Sequence, residues 1–225
     1  MAAEYHAAYY ADENDPRIAA WASAHEAVWN AIVDQILLLH PTATSLLDVG
    51  AGGGGLLARL HARRPDLALA AVEPAAPARA ALTRRFPGIC FPADSAEQLE
   101  AVDARFDVVM MLQTLEHVHD PLVACRGAWH CLRPGGLLMV TVPNRRSLAV
   151  LRHGRAADCY ANGTHLQFFA RTTLHALLRR AGFDRVRRRV DFGGGQHSKW
   201  LPQLAQYALR AAGWSSELRY VACKA

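Results

Sequence analysis

Asp48 stands two residues before a glycine-rich run, Gly50-Ala51-Gly52-Gly53-Gly54-Gly55, which follows the short stretch Ser45-Leu46-Leu47 and leads into an amphipathic segment. Missing Cβ atoms let a backbone turn sharply and let a ligand approach the main chain, and open α/β sheets bind their ligands at such turns, at the carboxyl ends of strands. A nucleoside cofactor is the natural occupant. Gly50-x-Gly52-x-x-Gly55 also satisfies the dinucleotide fingerprint, so the glycines by themselves leave the cofactor open. Asp48 bears on that choice. Its carboxylate suits the α-ammonium of a bound amino acid, directly or through water, whereas it would add negative charge beside a pyrophosphate. It can also serve simply as an acceptor that fixes the loop.

Glu73 closes the apolar run 67–72, with Pro74 beside it. A carboxylate there can accept both hydroxyls of a ribose in either kind of cofactor. Asp94-Ser95 offers an acceptor for an adenine amino group, with Ser95 alternatively a helix cap. His117 and His165 supply the side chain best suited to moving a proton near neutral pH, and each can instead hydrogen-bond a neighbouring loop. Glu116, His117, His119 and Asp120 make only a loose single-turn cluster, so no metal is expected. Asn144, Asn162 and Gln167 are further groups able to orient a substrate, although turns account for the two asparagines equally well. Phe192, Trp200, Tyr207 and Trp214 read as core, with an apolar acceptor wall as the alternative.

These residues need a scaffold, and the hydrophobic pattern supplies one. Residues 15–39 read as helix, with Pro16 in the first turn and Ile18, Trp21, Val28, Trp29, Ile32, Val33, Ile36 and Leu37 at helical spacing, until Pro41 stops it. From 45 onward short apolar runs (45–49, 67–72, 89–91, 106–111, 137–142) alternate with helical patterns (54–63, 77–86, 96–100, 121–132), which implies a parallel sheet. Past Pro143 the regularity breaks for about 25 residues, a length more typical of a functional lid than of a passive connection. A helix at 172–181 closes with Gly182, strands are expected at 183–190 and 218–222, and a helical pattern at 201–212 follows Gly193-Gly194-Gly195.

The 225 residues, 52% hydrophobic and 20% charged, suit one domain with a substantial core. No apolar run approaches the ~18 to 20 residues that span a bilayer, and no export signal opens the chain, so a cytoplasmic protein without a membrane partner is expected. The five cysteines are scattered and never spaced as Cys-x-x-Cys, which points to reduced thiols. The net charge of +5 comes from short arginine clusters such as Arg63-Arg64 and Arg187-Arg188-Arg189. No basic stripe is interleaved with aromatics, so no nucleic-acid partner is expected.

The segment 106–121, with Leu115-Glu116-His117-Val118-His119-Asp120-Pro121 after a fourth strand, closely resembles the class I S-adenosylmethionine-dependent methyltransferases. So do Leu132-Arg133-Pro134-Gly135-Gly136 at the end of the next helix and the ordered placement of Asp48, Glu73 and Asp94 before them. Thr164-His165-Leu166-Gln167-Phe168-Phe169 before Gly182-Phe183 looks like the quinone-biosynthesis-like, small-molecule branch. The resemblance covers roughly residues 45–190. It implies a Rossmann-like, doubly wound α/β fold with a seven-stranded, mostly parallel sheet whose sixth and seventh strands are antiparallel. It implies one domain over 1–225: an N-terminal helical cap (1–44), a cofactor-binding core (45–142), a substrate lid (143–170) and a C-terminal part of the sheet (171–225). S-adenosyl-L-methionine is the implied methyl donor and S-adenosyl-L-homocysteine the product. Asp48, Gly50, Ala51, Gly52 and Gly54 are placed around the methionyl end, Glu73 and Pro74 at the ribose, Asp94 and Ser95 at the adenine, and Gln113 along the site. Tyr10, with Tyr5 and Tyr9, resembles an aromatic segment that closes over the cofactor, or simply packs. Gly53 and Gly55 make the loop richer in glycine than the pattern requires.

Methyl transfer from a sulfonium is an in-line displacement in which alignment and desolvation supply much of the rate. A hydroxyl acceptor gains from a base, and His117 and His165 are the candidates. The expected reaction is O-methylation of a small biosynthetic intermediate, with nitrogen or carbon acceptors and a catalytically silent cofactor-binding scaffold as alternatives. A nicotinamide oxidoreductase is disfavoured by the turn after the fourth strand. Oligomeric state is left open, monomer or homodimer.

Overall fold

The computed structural model describes residues 16–189, 208 and 211–225. Tyr5, Tyr9, Tyr10, Phe192, Trp200 and Tyr207, and most of the helical pattern at 201–212, lie outside them. Pro16 opens α1 (Pro16–Leu39), as its fixed φ and missing donor suit a first-turn position. The other helices are α2 (Gly55–Arg63), α3 (Ala76–Arg85), α4 (Pro121–Cys131), α5 (Leu148–His153), α6 (Asp158–Ala161) and α7 (Arg171–Arg180). Strands β1 (Ser45–Val49), β2 (Ala68–Val72), β3 (Phe106–Leu112), β4 (Leu132–Pro143), β5 (Arg185–Arg188) and β6 (Glu217–Cys223) form one sheet in the order β2-β1-β3-β4-β6-β5.

The central strands are apolar at consecutive positions because both faces of the sheet are covered. Leu47, Val49, Val109 and Met111 face one core with α4 and α7, which also holds Leu115, Ala128, Leu174 and Phe183. Leu46, Val108 and Met110 face the other, where Ile32, Val33 and Ile36 of α1 meet Leu56, Leu57 and Leu60 of α2. β1 pairs in parallel with β2 on one side and β3 on the other, so the chain order reverses at β1 and leaves a crevice above its carboxyl end. At the opposite end Asp107 accepts hydrogen bonds from the backbone N–H groups of Thr44 (2.8 Å) and Ser45 (3.0 Å) and from Arg133 (2.8 Å). Partial burial pulls this carboxyl upward, but the bonds from Arg133, Thr44 and Ser45 outweigh it and hold the group well below the usual carboxylate range.

Three expectations change. Among the described residues the sheet has six strands, not seven: Ile89-Cys90-Phe91 makes a single parallel bridge, Ala70 to Cys90, and no ladder. Pro92 has no N–H with which to extend one. Among the last two strands only β6 is antiparallel to the β1–β4 direction; β5 pairs antiparallel with β6 and so runs with β4. The lid region 143–170 is built of α5, a 3-10 turn (Gly154–Ala156) and α6 rather than lacking regular structure. All five cysteines are free thiols, as expected, and no helix among the described residues is long and apolar enough to cross a membrane.

Gly127 is where α4 packs against the 3-10 helix Ala96–Ala101: a Cβ there would lie 2.5 Å from Leu99 Cβ and 3.0 Å from the Glu100 nitrogen. Backbone cannot move aside cheaply. Gly127→Ala is expected to lose about 1–3 kcal/mol of stability by overpacking, measured by urea unfolding, and an unchanged midpoint would contradict this packing.

Candidate active site

The glycine turn is set by backbone hydrogen bonds and by what its glycines touch. Gly50 N–H donates to the Val72 carbonyl at 2.7 Å and Gly54 N–H to the Ala51 carbonyl at 3.0 Å. Gly50, Gly52 and Gly54 have φ of 81°, 53° and 73°, the left-handed region that side chains disfavour. A Cβ on Gly50 would lie 2.6 Å from Thr114 Oγ1, and that hydroxyl donates to the Val49 carbonyl at 2.8 Å. The loop after β3 is thereby seated on the loop after β1. The extra glycine at 55 has a packing cause, because a Cβ would come within 2.7 Å of the Trp29 ring on α1.

Asp48 lies at the carboxyl end of β1, only 4% exposed. Among the described residues no donor is seen on its carboxylate. Burial, and then the nearby Glu73, push its carboxyl up to about 7. Glu73 follows β2 and accepts hydrogen bonds from Gly52 N–H (2.7 Å) and Ala75 N–H (2.9 Å), one on each oxygen. Burial raises its pKa, and these two bonds counter that only in part. Each oxygen keeps a lone pair for a further donor. Pro74 follows Glu73 in the connection from β2 to α3, and Ala51 donates its N–H to the Val72 carbonyl at 3.3 Å.

Asp94 is exposed and its carboxylate receives Arg79 Nη1 at 2.5 Å, while the Arg79 guanidinium also covers the Phe91 ring at 4.6 Å. Ser95 occupies the cap position of the Ala96–Ala101 turn, but its side chain makes no capping bond. Gln113 follows β3 with φ of 55°, unusual for a residue with a Cβ, and its N–H donates to the Thr141 carbonyl at 2.9 Å.

His117 and His165, 48 positions apart, meet with ring centroids 4.9 Å apart in an edge-to-face arrangement. His117 Nδ1 lies 3.1 Å from the Thr164 carbonyl and His165 Nδ1 lies 2.9 Å from the Cys159 carbonyl. A carbonyl can only accept, so each Nδ1 carries hydrogen and Nε2 is the basic atom. Segment 143–170 is clasped to the loop after β3 by Leu166 and Gln167, whose N–H groups donate to the Glu116 carbonyl at 2.7 and 3.1 Å. The single-turn cluster does not form. Asp120 caps α4 by accepting from Leu122 and Val123 N–H, and exposed His119 turns toward Glu97. In its place, one carboxylate oxygen of Glu116 and one nitrogen each of His117 and His165 lie within 4.8 Å of one another.

Several expected contributors have structural tasks. Asn144 donates to the Gly213 and Ser215 carbonyls, Asn162 accepts from Thr164, and Gln167 donates to the His119 carbonyl at 3.2 Å. Trp214 is exposed, not core. The sequence reading assigned no task to Thr114, Arg79 or the Glu116 side chain. Thr114 had a signal in principle, as a small hydroxyl just past a strand edge opposite a glycine; Arg79 had none.

The family model described as "Methyltransferase domain" matches residues 21–188. The chain belongs to the methyltransferase-domain family. The family assignment agrees with the methyltransferase resemblance read from the sequence. Relatives named ubiquinone biosynthesis O-methyltransferase include one from Cereibacter sphaeroides, 34% identical over 155 residues, covering 64% of this chain and 62% of that protein. Another, from Xanthomonas campestris, is 32% identical over 188 residues, covering 79% and 74%. The methyltransferase thus spans about 62% of the length of the first of these relatives. Among solved structures, the plantazolicin methyltransferase in complex with a triazolic desmethylPZN analogue and SAH matches with a TM-score of 0.68 at 15% identity, covering 99% of this chain and 95% of that one. A SAM-dependent methyltransferase from Archaeoglobus fulgidus matches at 0.63 and 17%, covering 87% and 94%. These two show a shared fold.

The methyltransferase carries a pH signature of its own at Asp48. A carboxyl raised by folding binds its proton more tightly in the native state, so the stability it lends below 3.8 is lost as the pH climbs toward about 7. Asp48→Asn is therefore expected to raise the melting temperature of the ligand-free protein at pH 8 by roughly 2–6 °C and much less at pH 4. Differential scanning calorimetry at both pH values checks this; equal shifts would mean that Asp48 is not desolvated.

Proposed function

We propose that this methyltransferase transfers the methyl group of S-adenosylmethionine to a hydroxyl of a small-molecule biosynthetic intermediate of phenolic or quinone-like type, in the cytoplasm. The observation that carries the oxygen acceptor is the His117–His165 pair, one ring from the loop after β3 and one from the lid segment, with their basic nitrogens brought together. The relatives' printed O-methyltransferase name supports the same reading.

The residues fit the donor. Asp48 is a buried carboxylate on which no donor is seen among the described residues, beside a turn whose glycines leave the backbone bare. A cationic α-ammonium would satisfy it, and favour the ionised form that burial alone disfavours. Gly50, Ala51, Gly52 and Gly54 would flank that end, Glu73 and Pro74 the ribose, Asp94 and Ser95 the adenine, and Gln113 the site's inner wall. Tyr10 lies outside the described residues and stays in the proposal on sequence grounds. The bound sulfonium supplies an electrophilic methyl carbon. Glu73, anchored by Gly52 and Ala75, holds the ribose without reorganising, so the glycine turn and the sugar are fixed together. The lid segment, clasped through Glu116, excludes water above the histidines, and Nε2 of His117 or His165 takes the acceptor's hydroxyl proton. No metal is included in this reading.

Asp48→Ala and Glu73→Ala are expected to weaken S-adenosylmethionine binding at least tenfold, a loss of about 1.4 kcal/mol or more, by isothermal titration calorimetry. Unchanged affinity in both folded variants would refute the donor site. With tritiated donor and a panel of catechols and dihydroxybenzoates, His117→Ala and His165→Ala should lower turnover roughly 100-fold or more while donor affinity is kept. Turnover that chelation by EDTA abolishes and added Mg²⁺ or Zn²⁺ restores would contradict the metal-free reading.

A further inference from the structure

Glu116 is the least expected side chain of the site. It is 1% exposed, and neither carboxylate oxygen meets a hydrogen-bond donor among the described residues. A buried acceptor left unmade costs stability, so a fold keeps one where some other state uses it. Its backbone carbonyl already clasps the lid, so the side chain is not needed for that contact. The other charged or titratable groups around it are accounted for. Glu217 of β6 faces it but holds Arg219 at 2.8 Å. Cys159 of α6 is a buried thiol with Arg145 near it. Among the described residues, His117 on its own loop and His165 from segment 143–170 each present a nitrogen within 4.8 Å of a Glu116 oxygen.

The two rings are 4.9 Å apart, so a proton taken by one meets a neutral imidazole and not an anion. We infer that Glu116 is the buried counter-charge of the imidazolium formed at the His117–His165 pair, and so a positioning residue for the reaction's proton. This rests on the histidine-base reading above. The competent state has a Glu116 carboxylate and neutral rings. As the acceptor oxygen bonds to the methyl carbon, the C–S bond breaks and its electron pair stays on sulfur. The acceptor's proton goes to Nε2 of one ring, and Glu116 then faces that cation; the proton leaves to solvent after the product departs. The arrangement parallels a catalytic carboxylate that steadies an imidazolium without being the base. Burial pushes the Glu116 carboxyl up to about 8, so beside neutral rings it keeps its proton at neutral pH. The carboxylate of the competent state forms as the pH rises toward that value, and a cationic ring beside it favours the same ionised form.

NMR of the histidine ring protons against pH reads this without an acceptor. The resonances are assigned with His117→Asn and His165→Asn, on protein whose donor affinity is intact. A coupled carboxylate and ring titrate as a unit, so the midpoint seen by the rings belongs to the cluster. In Glu116→Gln that midpoint should fall by about one pH unit, and Glu116→Asp should restore at least half of the shift. Equal midpoints in wild type and Glu116→Gln would overturn the inference. If Glu116→Gln does not fold, the wild type alone decides: a midpoint above the ordinary histidine value near 6.5 supports the coupling, and a midpoint at or below it overturns it. Full turnover in the His117 and His165 variants would instead sink the histidine-base reading, whatever the rings show.

Discussion

The hydroxyl of Thr114, seated against Gly50 and donating to the Val49 carbonyl, is the contact on which the arrangement of the site depends. β1 and β3 are neighbours in the sheet, and their loops must leave the same edge without colliding. A side chain at position 50 would occupy the space that Thr114 fills. Its absence lets the loop after β3, which carries Glu116 and His117, come down onto the glycine turn that follows Asp48. The lid then closes on that loop through backbone bonds to Glu116, bringing His165 to His117. On our proposal, the donor crevice and the proton-handling pair are thereby linked through one loop.

The same edge concentrates acidic groups. Asp48, Glu73 and Glu116 are all buried, and burial raises each of them. Such groups lower the stability of the empty protein, and the strands beneath them offset that with apolar side chains packed on both faces of the sheet. Their placement fits cationic partners: an amino-acid ammonium at Asp48 and, on our inference, an imidazolium at Glu116. Glu73 differs in that two backbone donors already hold it, which makes it a rigid acceptor rather than a counter-charge.

Much of this was legible in the sequence, for identifiable reasons. Alternating apolar runs and helical patterns located α1, α2, α4, β1, β2 and β3 to within a residue or two, because a sheet buried on both faces needs uninterrupted apolar strands. β4 begins at Leu132, five residues before the expected 137, since its Arg133-Pro134-Gly135-Gly136 start is not apolar. Positions tied to backbone geometry, such as the glycine turn and the carboxylates closing β1 and β2, were equally readable. The outer strands were not. Ile89-Cys90-Phe91 has the composition of a strand, but its pairing depends on a ladder that Pro92 cuts short, and the direction of β5 depends on where β6 inserts. Long-range convergence was the hardest part. Glu116 and His117 were read together with His119 and Asp120, their neighbours in the chain, whereas the fold sends Asp120 to cap α4 and brings His165 across from the lid. Arg79 reaching Asp94 left no mark in spacing at all.

The central claim is that the crevice above β1 binds a sulfonium amino-acid nucleoside and not a dinucleotide, although Gly50-x-Gly52-x-x-Gly55 satisfies both patterns. Isothermal titration of the wild-type protein with S-adenosylmethionine and, separately, with NAD(H) tests it most directly. Saturable one-to-one binding of S-adenosylmethionine with no heat from NAD(H) is the predicted result. Saturable NAD(H) binding without S-adenosylmethionine binding would contradict the account.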